Sequence, residues 1–123
     1  LLETLEAEGI GCIVFSPLAQ GLLTDRYLKG LPVDSRAVRD GRFLTPERIT
    51  PEALGKVTRL AEIASRRNQT MAQLALAWVL RQPAVTSALI GASRPEQIID
   101  AVGALQRPDF SESELAEIEM ILR

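Results

Sequence analysis

The stretch ALIGASRPEQ, residues 88–97, leads from an apolar segment through Gly91, Ala92 and Ser93 to Arg94 and a proline at position 95. The apolar run from Thr86 to Ile90 has the length of a short buried strand, and Pro95 suits the first position of a helix. A strand that passes directly into a helix is the repeating unit of a parallel α/β fold. The same junction gathers free backbone N–H groups, the Ser93 hydroxyl and the positive end of a helix dipole around one small volume. That volume suits a phosphate. Gly91 allows a ligand close to the backbone, Ser93 serves either the helix or the ligand, and Arg94 brings a planar fork of donors. The plainer alternative makes Ser93 an N-cap, Pro95 a first-turn proline and Arg94 a solvated side chain.

Outward from this junction, the order of elements alternates. Before the strand, MAQLALAWVLR (71–81) is apolar almost all round and must be buried, and Thr70 with Gln73 forms the capping box that opens it. Further upstream, Leu54, Val57, Leu60, Ala61 and Ala64 recur at helical spacing, with Lys56, Arg59, Glu62, Arg66 and Arg67 on the other face. Residues 1–8 read as a helix closed by Gly9, and GCIVF (11–15) as a second short buried strand. After ALIGASRPEQ the helix continues to about residue 105. Ser111 with Glu114 then caps a last helix carrying Leu115, Ile118, Ile121 and Leu122. Between 16 and 50 regularity stops. Glycines at 21, 30 and 41 and prolines at 17, 32 and 46 make a loop far longer than the usual two to about six residues. A loop of this kind is expected to be functional, a flap over a ligand from about Leu22 to Thr50.

Composition narrows the classes. The chain has 123 residues, 46% hydrophobic and 24% charged, the size and balance of one small globular domain. Its net charge of −2 comes from 14 basic and 16 acidic residues mixed along the chain, which offers nucleic acid no basic stripe to follow. No apolar run approaches the roughly 20 residues of a membrane helix, so no membrane partner is expected. The single cysteine, Cys12, makes neither an internal disulfide nor a zinc site and suits a reducing cytoplasm. Histidine is absent, and with it the commonest general base and metal ligand. No metal site is expected.

Helix, strand, helix, strand and helix in turn indicate parallel α/β architecture. Two short parallel strands leave backbone groups unpaired on both flanks, so residues 1–123 read as a single partial domain whose front is missing. Ser16-Pro17-Leu18-Ala19-Gln20-Gly21 follows one strand and Gly91-Ala92-Ser93-Arg94 the other, while Arg26, Ser35 and Arg36 lie further along the first loop. Both candidate sites thus sit at strand C-termini. In a (β/α)8 barrel that edge is the active face, and the loops after the seventh and eighth strands often hold a phosphate. Taken singly, Ser16-Pro17 is a turn and Arg26 and Arg36 are wet surface; their combination points to a ligand.

The segments GCIVFSPLAQGLLTDRYL (11–28), GLPVDSR (30–36), QTMAQLALAWVL (69–80) and TSALIGASRPEQI (86–98), in this order and spacing, resemble the C-terminal part of the aldo-keto reductases. The likeness is to the branch holding the potassium-channel β-subunits and bacterial glyceraldehyde 3-phosphate reductases, and it covers the chain from Gly9 onward. It implies the last two strands and flanking helices of a (β/α)8 TIM barrel, incomplete as given. It further implies NADPH as cofactor, with Ser16, Pro17, Leu18, Gln20 and Gly21 around the pyrophosphate and Arg26 and Arg36 near the phosphates. Gly91, Ser93 and Arg94 would then hold the 2′-phosphate, and Gln97 and Asp100 would contact the adenine end. Relatives often place asparagine directly after that acidic position; here it is Ala101. Phe15 stands where some relatives have tryptophan, an aromatic wall near the nicotinamide.

The family's catalytic tetrad of Asp, Tyr, Lys and His lies on earlier strands. Here no histidine exists, Tyr27 follows the seventh strand, and the only lysines are Lys29 in the loop and Lys56 on a helix face. The resemblance therefore implies cofactor residues without a catalytic one, and a 123-residue chain inactive alone. The intact protein would reduce an aldehyde or ketone, a small-molecule carbonyl substrate, to an alcohol in the cytoplasm. A cofactor-sensing regulatory subunit and an inactive truncated fragment are the alternatives, and a homo-oligomer is left open.

Overall fold

The computed structural model describes residues 1–24 and 50–123. Arg26, Tyr27, Lys29, Ser35, Arg36 and most of the expected flap fall in 25–49, so the readings placed on them lie outside the described residues.

Local signals in the chain account for most element boundaries. Helix α1, Leu2–Ala7, is closed by Gly9 at φ 64°, the left-handed conformation that lets the Ile10 amide turn back to the Leu5 carbonyl at 2.8 Å. Helix α2, Pro51–Arg66, starts at Thr50, whose hydroxyl accepts the Ala53 amide at 3.1 Å, with Pro51 in the first turn. Helix α3, Met71–Leu80, opens on the complete capping box of Thr70 and Gln73, and α5, Glu112–Leu122, on that of Ser111 and Glu114. Helix α1 buries nothing and α3 is buried nearly all round, Leu76 and Ala77 included; packed together are Val57, Leu60, Ile63 and Ala64 from α2, Met71, Leu74 and Ala75 from α3, and Ile118 and Ile121 from α5. These residues form one core, with Leu18, Leu22, Leu23, Trp78 and Phe110 packed at its margin.

Arg67 corrects the expectation that it lies on the solvated face of α2. It is 2% exposed. It stands at the C-cap, past the last helical turn, where the 3.6-residue period no longer assigns a direction. Every guanidinium nitrogen has a partner there: Nε donates to Gln69 Oε1 at 2.7 Å, Nη1 to Glu114 Oε2 at 2.8 Å, and Nη2 to the carbonyls of Arg107 and Asp109 at 2.8 and 2.9 Å. The group also stacks 4.0 Å from the Phe110 ring centroid. Burying a charge is expensive unless it is paired and bonded in this way, and the result staples the segment before α5 to the end of α2.

Strands β1, Cys12–Phe15, and β2, Val85–Leu89, pair in parallel. Cys12 faces Val85, but Ile13 faces Ser87, so the ladder skips Thr86. The Thr86 hydroxyl fills the gap by accepting the Cys12 amide at 3.2 Å. Beyond this bulge Val14 pairs with Ala88 and Phe15 with Leu89. The two strands were expected to be buried, and one face is not: Ile13, Phe15 and Leu89 are 69, 79 and 62% exposed. Among the described residues all helical packing falls on the other side, where Val14 and Ala88 are half-buried.

Residues 81–84 join α3 to β2 in a turn too short for anything but an antiparallel return. Ten helical residues and five strand residues each cover about 15 Å, so the start of α3 comes back level with the end of β2. After β2, α4 spans Pro95–Val102 and passes into a 3-10 turn at Gly103–Gln106. The single helix read over 95–105 thus divides at Gly103, where a Cβ would run into the Gln73 amide nitrogen. No helix among the described residues is long and apolar enough to cross a membrane.

Candidate functional site

Because Phe15 lies opposite Leu89 in a parallel pair, the chain leaves both strands side by side at one edge. The segments from Ser16 and from Ile90 therefore emerge as neighbours, about 5 Å apart at the strand ends. This is the geometric core of the candidate site.

The first segment is tightly folded. Ser16, Ala19 and Gln20 have φ of 54°, 45° and 59°, and Gly21 has 99°. Left-handed conformations at three non-glycine residues are locally unfavourable and persist only where the surroundings impose them. Here the imposing groups are Leu18, Leu22 and Leu23, which pack on the core, and the turn bonds Ala19 N–H to Ser16 O and Gly21 N–H to Leu18 O at 3.0 and 2.9 Å. Ser16 is exposed, whereas Pro17, Leu18, Gln20 and Gly21 are half-buried.

The second segment is open. Gly91 has nothing within 4 Å of the place a Cβ would take, and Ser93, Arg94 and Gln97 are exposed. The N-cap position is Arg94, not Ser93, and the backbone amides expected to be free are not. Gln97 Oε1 accepts the Ser93 amide at 2.8 Å, the Ser93 hydroxyl at 3.2 Å and the Arg94 amide at 3.3 Å. Glutamine three residues into a helix reaches back as in a capping box, and it satisfies the donors that a phosphate oxygen would otherwise take. The Arg94 guanidinium has no hydrogen bond or ion pair among the described residues.

Asp100 lies about 9 Å further along α4 and is half-buried. Its carboxylate accepts the Thr70 hydroxyl at 3.1 Å and Gln73 Nε2 at 2.9 Å, and its carbonyl accepts the same Nε2 at 2.9 Å. Thr70 and Gln73 were read only as a cap for their own helix. The capping box was the visible signal; its tertiary acceptor, 27 residues on, had none.

The arrangement can bind an anion at a strand edge. Among the described residues no group stands there to move a proton, and no cluster of metal-ligating side chains occurs. Among the described residues the one carboxyl with a shifted acidity, Glu114, belongs to the Arg67 staple. Burial pushes its pKa up, but the Ser111 amide and the Arg67 guanidinium outweigh this and hold it below the ordinary value.

Comparison with known proteins adds the following. The profile described as the Aldo/keto reductase family matches residues 1–123. The chain is 52% identical over 122 residues to L-glyceraldehyde 3-phosphate reductase of Escherichia coli strain K12, covering 97% of this chain and 35% of that protein. Identity and coverage are the same for the protein of that name in Escherichia coli O157:H7. A Schizosaccharomyces pombe protein bearing the name of a voltage-gated potassium channel subunit beta is 39% identical over 126 residues, covering 99% of this chain and 37% of that protein. The chain thus spans about a third of the length of these curated relatives.

Proposed function

The chain belongs to the aldo/keto reductase family, and from that premise we propose that it is the C-terminal part of a (β/α)8 barrel, a single partial domain over residues 1–123, whose intact protein reduces an aldehyde or ketone to an alcohol with NADPH. The exposed apolar face of Ile13, Phe15 and Leu89 supports the barrel reading, because a closed barrel would cover it with side chains from the other strands. An aldehyde such as L-glyceraldehyde 3-phosphate, after which the Escherichia coli relatives are named, is the first substrate to test.

One observation carries the cofactor assignment: the strand register brings the two loops to one edge, where the Arg94 guanidinium stands exposed and without a partner among the described residues. The residues fit the group. Gly91 leaves room for it, Arg94 supplies a bidentate cation, and Ser93 becomes available when Gln97 releases its hydroxyl. The segment Ser16, Pro17, Leu18, Gln20 and Gly21 would line the pyrophosphate, with Arg26 and Arg36 of the same loop. Bound NADPH supplies a hydride to the carbonyl carbon; this chain's part is to hold and orient the dinucleotide, and proton donation belongs to residues outside it. The free thiol of Cys12 supports a cytoplasmic setting.

The test is cofactor selectivity in the intact protein. A charge-assisted contact to phosphate is worth about 1.5 to 3 kcal/mol. Arg94→Ala should therefore raise the Kd for NADPH about ten- to a hundredfold and leave that for NADH within about threefold. Arg94→Lys should keep part of the affinity, since the charge remains and the fork does not. Equal weakening of both cofactors would overturn the assignment. The Schizosaccharomyces pombe relative favours a second reading, a regulatory subunit that senses the cofactor. Turnover of an aldehyde by the intact protein separates the two.

A further inference from the structure

We infer that Thr70 and Gln73 are positioning residues for the dinucleotide: from the start of α3 they hold the Asp100 carboxylate so that its remaining lone pairs meet the adenine amino group. The inference rests on the NADPH reading above and deepens it.

The chemistry of the ligand puts the base beside Asp100. The 2′-phosphate and the adenine sit on adjacent carbons of one ribose, so a phosphate held by Arg94 leaves the base to lie along α4. Asp100 stands about 9 Å further along that helix, half-buried, with a carboxylate that can accept from the exocyclic amine.

This carboxylate is not free to turn. Gln73 Nε2 donates to its Oδ1 and to the Asp100 carbonyl, each at 2.9 Å, and the Thr70 hydroxyl donates to Oδ2 at 3.1 Å. Two of about four acceptor sites on the carboxylate are thereby used, and the others are left for a ligand. The donors are themselves fixed: Gln73 Oε1 accepts the Thr70 amide at 3.1 Å, and the Thr70 hydroxyl accepts the Gln73 amide at 3.2 Å. The capping box thus serves a second purpose, because the amino half of its glutamine is not needed for the cap. A glutamate in that place would cap α3 equally well and could not donate to Asp100. Gly103 closes the far side, since a Cβ there would collide with Gln73 Nε2. An acceptor held in place before its ligand arrives need not be immobilised on binding.

The difference between glutamine and glutamate supplies the test. The intact protein is titrated with NADPH and with its purine counterpart, in which hydrogen replaces the adenine 6-amino group. Wild type should prefer NADPH by about tenfold. Gln73→Glu, which keeps the cap, should cut that preference to about threefold or less, mainly by weakening NADPH. Gly103→Ala should lower the preference in the same direction without adding charge, and Thr70→Ser should keep it. In an Asp100→Ala background, where the preference is already lost, Gln73→Glu should have no further effect on the ratio. Equal weakening of both ligands by Gln73→Glu, or a change of ratio that persists without Asp100, would overturn the proposal, as would an unchanged preference. A wild type that binds both ligands equally would overturn it and leave the NADPH reading standing. One that binds no dinucleotide would remove that reading, and this inference with it.

Discussion

The helical layer and the strand edge of this chain are built on opposite terms. Between α2, α3 and α5 every large apolar side chain of the core cluster is covered, and the buried cation Arg67 has a partner at each nitrogen. At the strand edge Phe15, Ile13 and Leu89 stand uncovered, three non-glycine residues hold left-handed backbone, and Arg94 is exposed with no partner among the described residues. The helical layer is satisfied by its own residues. In the proposed function the strand edge is completed by something else, a dinucleotide on its loops and further barrel strands on its open face.

If this contrast is right, substitutions should divide along it. The largest effect belongs to Arg67→Ala, which removes a buried, fully bonded guanidinium and its stack on Phe110 and should cost about 3 kcal/mol in denaturant unfolding of the intact protein. A loss under 1 kcal/mol would show that the staple contributes little. Ile63→Val, at a position with no exposed surface, should cost about 1 kcal/mol by the same measurement.

Acid should come next. Glu114 has a native pKa below the ordinary 4.5, so its contribution to stability is whole above that value and is lost as pH falls through the lower, native one. Denaturation midpoints between neutral and acid pH should fall less steeply in Glu114→Gln than in wild type; parallel curves would remove Glu114 from the account. The smallest effect is expected at the strand edge: Phe15→Ala should shift the stability of the 123-residue chain by no more than about 0.5 kcal/mol. The same change in the intact protein should cost about 3 kcal/mol if a barrel covers the ring. Equal, small costs in both would count against the barrel.

The contrast also explains what was legible. Periodicity and capping pairs are local, so α2, α3 and α5 could be read from Leu60 and Ile63, from Thr70 with Gln73, and from Ser111 with Glu114. The strands were placed within one residue or so, Val85–Leu89 for an expected 86–90, yet their burial was misjudged, because an apolar strand says nothing of which neighbour covers it. The helical pattern puts Arg67 on a solvated face, and the resemblance puts Asp100 at the adenine end. Both are held by groups on other helices, and no spacing rule reports a contact across 47 or 27 residues. At the site, strand order and loop identity were visible. That Gln97 already occupies the donors of Ser93 and Arg94 was not, since it depends on one side-chain torsion.

The bulge at Thr86 bears on how such a chain can vary. Because the ladder skips one residue there, Phe15 meets Leu89 and the two loops leave the sheet at the same height. Insertions beyond Ser16 or beyond the helices would leave that alignment untouched, so the lineage is free to lengthen loops and alter what they grip. Deleting Thr86 would close the bulge and keep Phe15 opposite Leu89, whereas deleting a paired residue such as Ala88 would slide Gly91 and Arg94 by about 3.3 Å against Ser16. The Ala88 deletion would also turn Leu89 to the opposite side of the sheet. Tolerance to length change should therefore be sharply uneven along this sequence, generous in the connections and nearly absent between Cys12 and Phe15 and between Ser87 and Leu89.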